Sequence, residues 1–289
     1  MNTDIVKPAS SLSRIQRFMR FPLTRMVLAI FLTALGGGLT LAYAGELAQQ
    51  WGQVVWPELL AAAAVLLSYG LYVRVFEKRP MPELAGARAL PELGVGLLIG
   101  AALVTAVVAL LMAAGGYRVS GSNGWSMAVI APLAMMVFVG VFEEVLTRGI
   151  VFRFVEQSFG SWAALMISSL LFGLAHLPGG DAGLMAIIVT VVAGLLFAGA
   201  YLLTRRLWLG IGIHIAWNYT LGTIYSIPVS GREAQGLLHG TVSGPNWLTG
   251  GAYGLEASAI TLIVLATAAA YLLYAAWAKG RFIAAPWHR

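Results

Sequence analysis

Residues 127–149 read MAVIAPLAMMVFVGVF, then Glu143-Glu144-Val-Leu-Thr-Arg148-Gly149. An apolar run from Met127 to Phe142 is thus closed by two adjacent carboxylates and, four residues after the second, a guanidinium. The run alone reads as lipid-soluble helix. A charged side chain at mid-bilayer costs roughly 2.5–3.5 kcal/mol on insertion scales, and such residues line cavities or pair with one another. A chain that keeps two acids in this position needs a polar cavity to hold them.

Working outward, the rest of the chain has the same character. Of 289 residues, 59% are hydrophobic and only 10% charged, where a soluble domain carries about 25% charged residues. Mean hydropathy is +0.82. The fold class expected is all-α, a polytopic membrane helix bundle of about eight spans: 26–44, 54–73, 93–114, 130–155, 162–177, 183–203, 207–227 and 255–277. Most approach the ~20 residues that cross the hydrocarbon. The domain reading is a basic cytoplasmic tail over 1–25 and one transmembrane domain over 26–289, with a catalytic-like core about 130–227. The first apolar run starts near Met26 and is as long as a span, so no cleavable signal is expected.

The net charge of +6 is a topology signal rather than a nucleic-acid footprint. With a cytoplasmic N-terminus and eight crossings, the inside collects Lys7, Arg14, Arg17, Arg20, Arg25, Arg74, Lys78, Arg79, Arg88, Arg153, Arg205, Arg206, Lys279, Arg281 and Arg289. That is fifteen of the eighteen basic residues; Arg118 and Arg232 lie outside and Arg148 within a span. The bias orients the chain, with both termini cytoplasmic in a bacterial plasma (inner) membrane. The expected partners are the lipid bilayer and a membrane-associated protein or peptide substrate, with no nucleic acid. Arg14, Arg17 and Arg20 are spaced by three, so Ser11–Phe21 reads either as a basic interfacial helix or as a solvated tail. The absence of cysteine excludes disulfides, thiolate metal sites and cysteine nucleophiles.

Glu77 to Glu83, broken by Pro80 and Pro82, reads as a charged cytoplasmic loop; 228–254, Gly-rich with Pro245, reads as an irregular outer loop anchored by Trp247 and Tyr253. Glycines at 36–38, 94, 96, 100, 194, 199, 210 and 212 read as close-packing positions between helices. No internal repeat is evident, which weakens an inverted-repeat transporter.

Three polar patterns fall inside the spans. In Glu143-Glu144-x-x-x-Arg148, Glu144 and Arg148 stand at i,i+4 with the acid first, the better order for an ion pair. Glu143 points about 100° away and is left unpaired. Phe172-Gly-Leu-Ala-His176 closes the fifth span, and His214-Ile-Ala-Trp-Asn218 puts a His and an Asn on one face of the seventh. A single intramembrane His is equally read as an interhelical hydrogen bond. Two, with an Asn and an unpaired Glu on three spans, favour a site. Counting ~1.5 Å per residue, Glu143 and His176 lie about 21–23 Å from the cytoplasmic end, whereas His214 comes out shallower, at about 12 Å.

Together these patterns, in this order, resemble the CAAX protease and bacteriocin-processing (CPBP, or Abi) family of intramembrane endopeptidases, which includes the eukaryotic prenyl-protein protease. The resemblance covers spans four to seven, about 130–227. It implies that Glu143 is the catalytic carboxylate and His176 its partner in activating water. It further implies that His214 and Asn218 stabilise the oxyanion, with Glu144, Arg148 and Phe172 supporting. The substrate implied is a prenylated or hydrophobic membrane-associated chain. Glu143, His176 and His214 would also suit a divalent metal such as zinc with an open position for water; the same residues serve a metal-free, glutamate-activated water. The cofactor is therefore none or one such ion, and His-Glu-x-x-His is absent. The competing readings are a non-catalytic scaffold or peptide-toxin immunity protein, and a proton- or cation-coupled transporter.

Overall fold

The computed structural model describes residues 21–49, 55–177 and 183–288; the Ser11–Phe21 pattern and most of the basic tail lie outside them. Each of the eight apolar segments is helical. The helices are α1 (Pro22–Ala48), α2 (Trp56–Tyr72), α3 (Ala89–Ala113), α4 (Pro132–Glu144), α5 (Arg153–Ala175), α6 (Leu184–Thr204), α7 (Trp208–Asn218) and α8 (Ala259–Ala278). Among the described residues, six helices are long and apolar enough to cross a membrane. The chain is a multi-pass membrane protein.

The difference between eight segments and six long helices has two causes. First, α4 runs through a π-helical stretch, Val145–Phe152, straight into α5, so that Met127–Ala175 counts as one helix of 49 residues. At 1.5 Å per residue it would reach about 74 Å, far beyond a bilayer. Gly160 breaks it, with φ 83° and ψ 171°. A side chain at this position would be strained and would meet the backbone N of Ala285 at 2.8 Å, so the reversal depends on glycine. Secondly, α7 with its π-helical continuation Tyr219–Ile224 is shorter than a full span.

Helix contacts follow the glycines. A β-carbon on Gly96 would lie 2.4 Å from the Leu209 carbonyl, and one on Gly212 2.4 Å from that of Leu93. α3 and α7 therefore cross backbone to backbone, as small residues permit in lipid. Gly194 of α6 lies against Ser169 of α5 in the same way. Two apolar clusters result. One centres on Tyr69, Val145, Phe152 and Leu202; the other includes Val104, Phe172, Phe197 and Trp217. Glu143 and Glu144 sit at their seam.

The two ends of the bundle differ. At one, Arg79 pairs with Glu83 at 2.5 Å, Arg153 with Glu77 at 2.6 Å and Arg205 with Glu156 at 2.6 Å, while Arg206 pairs with Glu92. The cytoplasmic reading of these basic residues thus omitted that four of them hold helix ends together. At the other end, 228–254 is not simply irregular: strand β2 (Leu238–Val242) pairs antiparallel with β1 (Tyr117–Ser122), from Tyr117↔Val242 to Ser122↔Leu238, with an irregularity between Val119 and Gly121. Neither strand has the β-branched alternation that would have announced it. Trp247 is exposed as an anchor should be, but Tyr253 is buried at 2%.

Candidate active site

Arg148 is wholly buried, and its Nη1 lies 2.9 Å from Glu144 Oε1. Its Nη2 donates to the Gly194 carbonyl at 2.9 Å, and the guanidinium rests on the rings of Phe172 (4.7 Å) and Phe197 (5.1 Å). The i,i+4 pair expected from sequence therefore forms, even though Arg148 lies in the π-helical stretch. Gly210 of α7 makes room for it: a β-carbon there would stand 3.0 Å from Glu144 Oε2.

The same Glu144 Oε1 lies 3.3 Å from Nδ1 of His214. With Glu144 ionised against Arg148, this contact places the proton on Nδ1 and turns Nε2 away, toward Glu143. His214 is buried and stacks on Phe197 at 4.7 Å. His176 is fixed in parallel fashion. Its Nδ1 is 2.8 Å from the Phe172 carbonyl, which can only accept, so Nδ1 carries the hydrogen. Both Nε2 atoms face one oxygen, Glu143 Oε2, at 3.7 Å for His214 and 3.9 Å for His176. That oxygen is buried and has no hydrogen-bond partner among the described residues.

Glu143, His176, His214 and Asn218 all line one cavity of about 750 Å³, together with Phe172 and Phe197. The structure thus brings together the four candidate residues on α4, α5 and α7. His214 corrects the depth expectation. Its Nε2 lies 3.7 Å from Glu143 Oε2 although α7 starts at the basic end, where the Leu207 N–H donates to the Glu83 carbonyl at 3.0 Å. Arg153, which follows Glu143 in the same continuous helix, already pairs with Glu77 at the basic end, so the count placed Glu143 too deep rather than His214 too shallow. π-Helical stretches follow both Glu144 and Asn218, so the helices around the site are not regular throughout. Phe197 was missed. It lies in an apolar helix without polar spacing, so no sequence signal distinguished it from its neighbours.

The donor set matches zinc in kind: two imidazoles with Nδ1–H tied back and one carboxylate. The spacing is looser. Bonds of about 2.0–2.2 Å in a tetrahedron set ligand atoms roughly 3.4 Å apart, against 3.7 and 3.9 Å here. Among the described residues no trio of His, Cys, Asp or Glu is spaced to hold a metal ion. A water molecule fits the same gap.

Residues 123–220 match the family model described as Type II CAAX prenyl endopeptidase Rce1-like. No curated protein and no solved structure matches the chain. The matched segment contains Glu143, Glu144, Arg148, Phe172, His176, His214 and Asn218, the positions on which the resemblance to that family rests.

Proposed function

We propose that this protein is an intramembrane endopeptidase that hydrolyses a peptide bond in a membrane-associated, prenylated or hydrophobic substrate. The observation that carries the reading is the unpartnered Glu143 oxygen facing two imidazole Nε2 atoms in an apolar cavity. With neutral imidazoles, three lone pairs would converge on one point. A water there has two protons to give, one to Glu143 and one to His176. The third position, His214 Nε2, is then best used as a donor, with His214 an imidazolium beside the Glu144 carboxylate.

The step follows from this count. Glu143 takes a proton from the water as its oxygen bonds to the scissile carbonyl carbon. His214 Nε2–H and the Asn218 amide donate to the developing oxyanion, in surroundings where such donors are worth far more than in water. The tetrahedral intermediate then collapses, the C–N bond breaks, and the proton held by Glu143 passes to the leaving amine. If zinc were bound, Glu143, His176 and His214 would hold it and it would supply Lewis-acid activation of water.

Supporting the orientation, the basic residues gather at one end, which we assign to the cytoplasmic side of a bacterial inner membrane, with both termini there. Glu143→Gln in purified protein, assayed on a library of hydrophobic and prenylated peptides, tests the function. Cleavage should fall by about 10²–10⁴-fold; unchanged cleavage sinks the assignment.

A further inference from the structure

The cavity has a direction. It follows α4 from Glu143 through Val139 and Met136 to Pro132, the end of that helix remote from the basic residues. Beyond the helices it is lined by Ser230, Arg232 and Gln235, which stand beside the β1–β2 ribbon end of the bundle. No residue of the basic end, neither 77–92 nor 153–161 nor 204–209, lines it. On that side the passage is closed by the fully buried Glu144–Arg148 pair, by the buried run Gly149–Phe152, and then by the ion pairs of Glu77, Glu83 and Glu156.

The opposite end carries Arg118 and Arg232, against Arg25, Arg74, Lys78, Arg79, Arg88, Arg153, Arg205, Arg206, Lys279 and Arg281 at the closed end. Hydrogen bonds place these together: Tyr72 donates to the Arg25 carbonyl, and Arg205 to that of Arg281. Lys and Arg near helix ends stay cytoplasmic. The open end of the cavity is therefore the outer one.

We infer that the site receives its substrate from the extracytoplasmic face, and that the substrate is the outer juxtamembrane stretch of a membrane-anchored or exported hydrophobic polypeptide rather than a tail displayed in the cytoplasm. This rests on the endopeptidase reading above. The cavity volume, about 750 Å³, is that of a small-ligand site, so only an extended segment of a few residues enters. Its inner wall is apolar along Met136 and Val139, and its rim is polar at Ser230, Arg232 and Gln235. An amphipathic stretch leaving the bilayer matches that gradient.

The chain has no cysteine, so sidedness can be read directly. Single variants Gln235→Cys at the rim, Arg118→Cys on the ribbon and Lys279→Cys at the basic end, all exposed positions, would be produced in the inner membrane of a bacterial host. They would be treated with a membrane-impermeant maleimide before and after permeabilisation. The expected result is labelling of the first two in intact spheroplasts and of Lys279→Cys only after permeabilisation. Two outer positions guard against one variant failing to fold. The reverse pattern, or labelling of all three in intact spheroplasts, overturns the inference. A second arm supplies impermeant hydrophobic-tailed peptides to one face of oriented proteoliposomes, with Glu143→Gln as control. Cleavage confined to the rim side supports the inference, and cleavage from the basic side overturns it. Outward labelling with no Glu143-dependent cleavage from either face overturns the endopeptidase reading, and the substrate assignment with it, while leaving the orientation intact.

Discussion

Glu144 and His214 are joined through a single buried oxygen: Oε1 lies 3.3 Å from His214 Nδ1 and 2.9 Å from Arg148 Nη1. The carboxylate that the sequence marks as structural therefore also orients a site imidazole. Neutralising it disturbs the fold and the site together, whereas its neighbour Glu143 has an oxygen with no bond to lose.

The two glutamates should accordingly separate in stability. Glu144→Gln leaves a buried guanidinium uncompensated, and losing one partner of a buried pair costs about 3–5 kcal/mol. Glu143→Gln should unfold at or above the native temperature. Thermal unfolding in detergent micelles measures both; equal destabilisation would contradict the division of roles.

Asn218→Ala removes a proposed oxyanion donor from the cavity wall. Loss of one such donor lowers kcat by about 10²–10³-fold. KM should change little, because the donor acts on charge that develops in the transition state. Steady-state kinetics on a cleaved peptide checks it; a raised KM with unaltered kcat would point to substrate binding instead.

Gly212→Val tests the α3–α7 crossing. Even a β-carbon there would sit 2.4 Å from the Leu93 carbonyl, so the helices must part. Because α7 carries His214 and Asn218, activity should fall with stability, while Gly38→Val on α1, where a β-carbon meets nothing within 4 Å, should change neither. Folding yield and cleavage rate of the pair give the answer.

Metal removal separates the two forms of catalysis. On the metal-free step proposed above, with 3.7 and 3.9 Å between the facing atoms, activity is expected to survive exhaustive dialysis against a chelator. Elemental analysis of the same sample completes the test. Activity lost on chelation and restored by zinc would transfer the role to a bound ion.

The β1–β2 ribbon should loosen at high pH. Burial pushes the Tyr117 hydroxyl up from 10.0 to about 12, with Tyr225 adding to the effect, and that hydroxyl donates to the Tyr225 carbonyl at 2.6 Å. A raised pKa favours the protonated form in the fold, so its contribution is whole below pH 10 and lost as pH climbs through 12. Tyr117→Phe should flatten this part of the profile. Hydrogen exchange over Tyr117–Ser122 and Leu238–Val242 would follow it.

Much of this was legible in the chain. Eight apolar runs became eight helices because lipid leaves a backbone few alternatives to the helix. Glu144-x-x-x-Arg148 became an ion pair because i,i+4 spacing is local and survives even the π-helical stretch around Arg148. The close-packing glycines at 96, 194 and 212 could be read for the same reason: the absence of a side chain matters wherever two helices touch. Which helices touch was not legible.

The sequence by itself determined the membrane class, the basic-end asymmetry and the residues available for chemistry, since these depend on composition and on spacing within single helices. Tertiary structure decided the rest. It brought His214 level with Glu143, placed Phe197 against His214, and turned each imidazole by an Nδ1 contact, His214 to Glu144 and His176 to the Phe172 carbonyl. It also opened the cavity toward the β1–β2 end. Each of these is a relation between segments whose relative depth and rotation are set by packing, and no count along one helix contains that information.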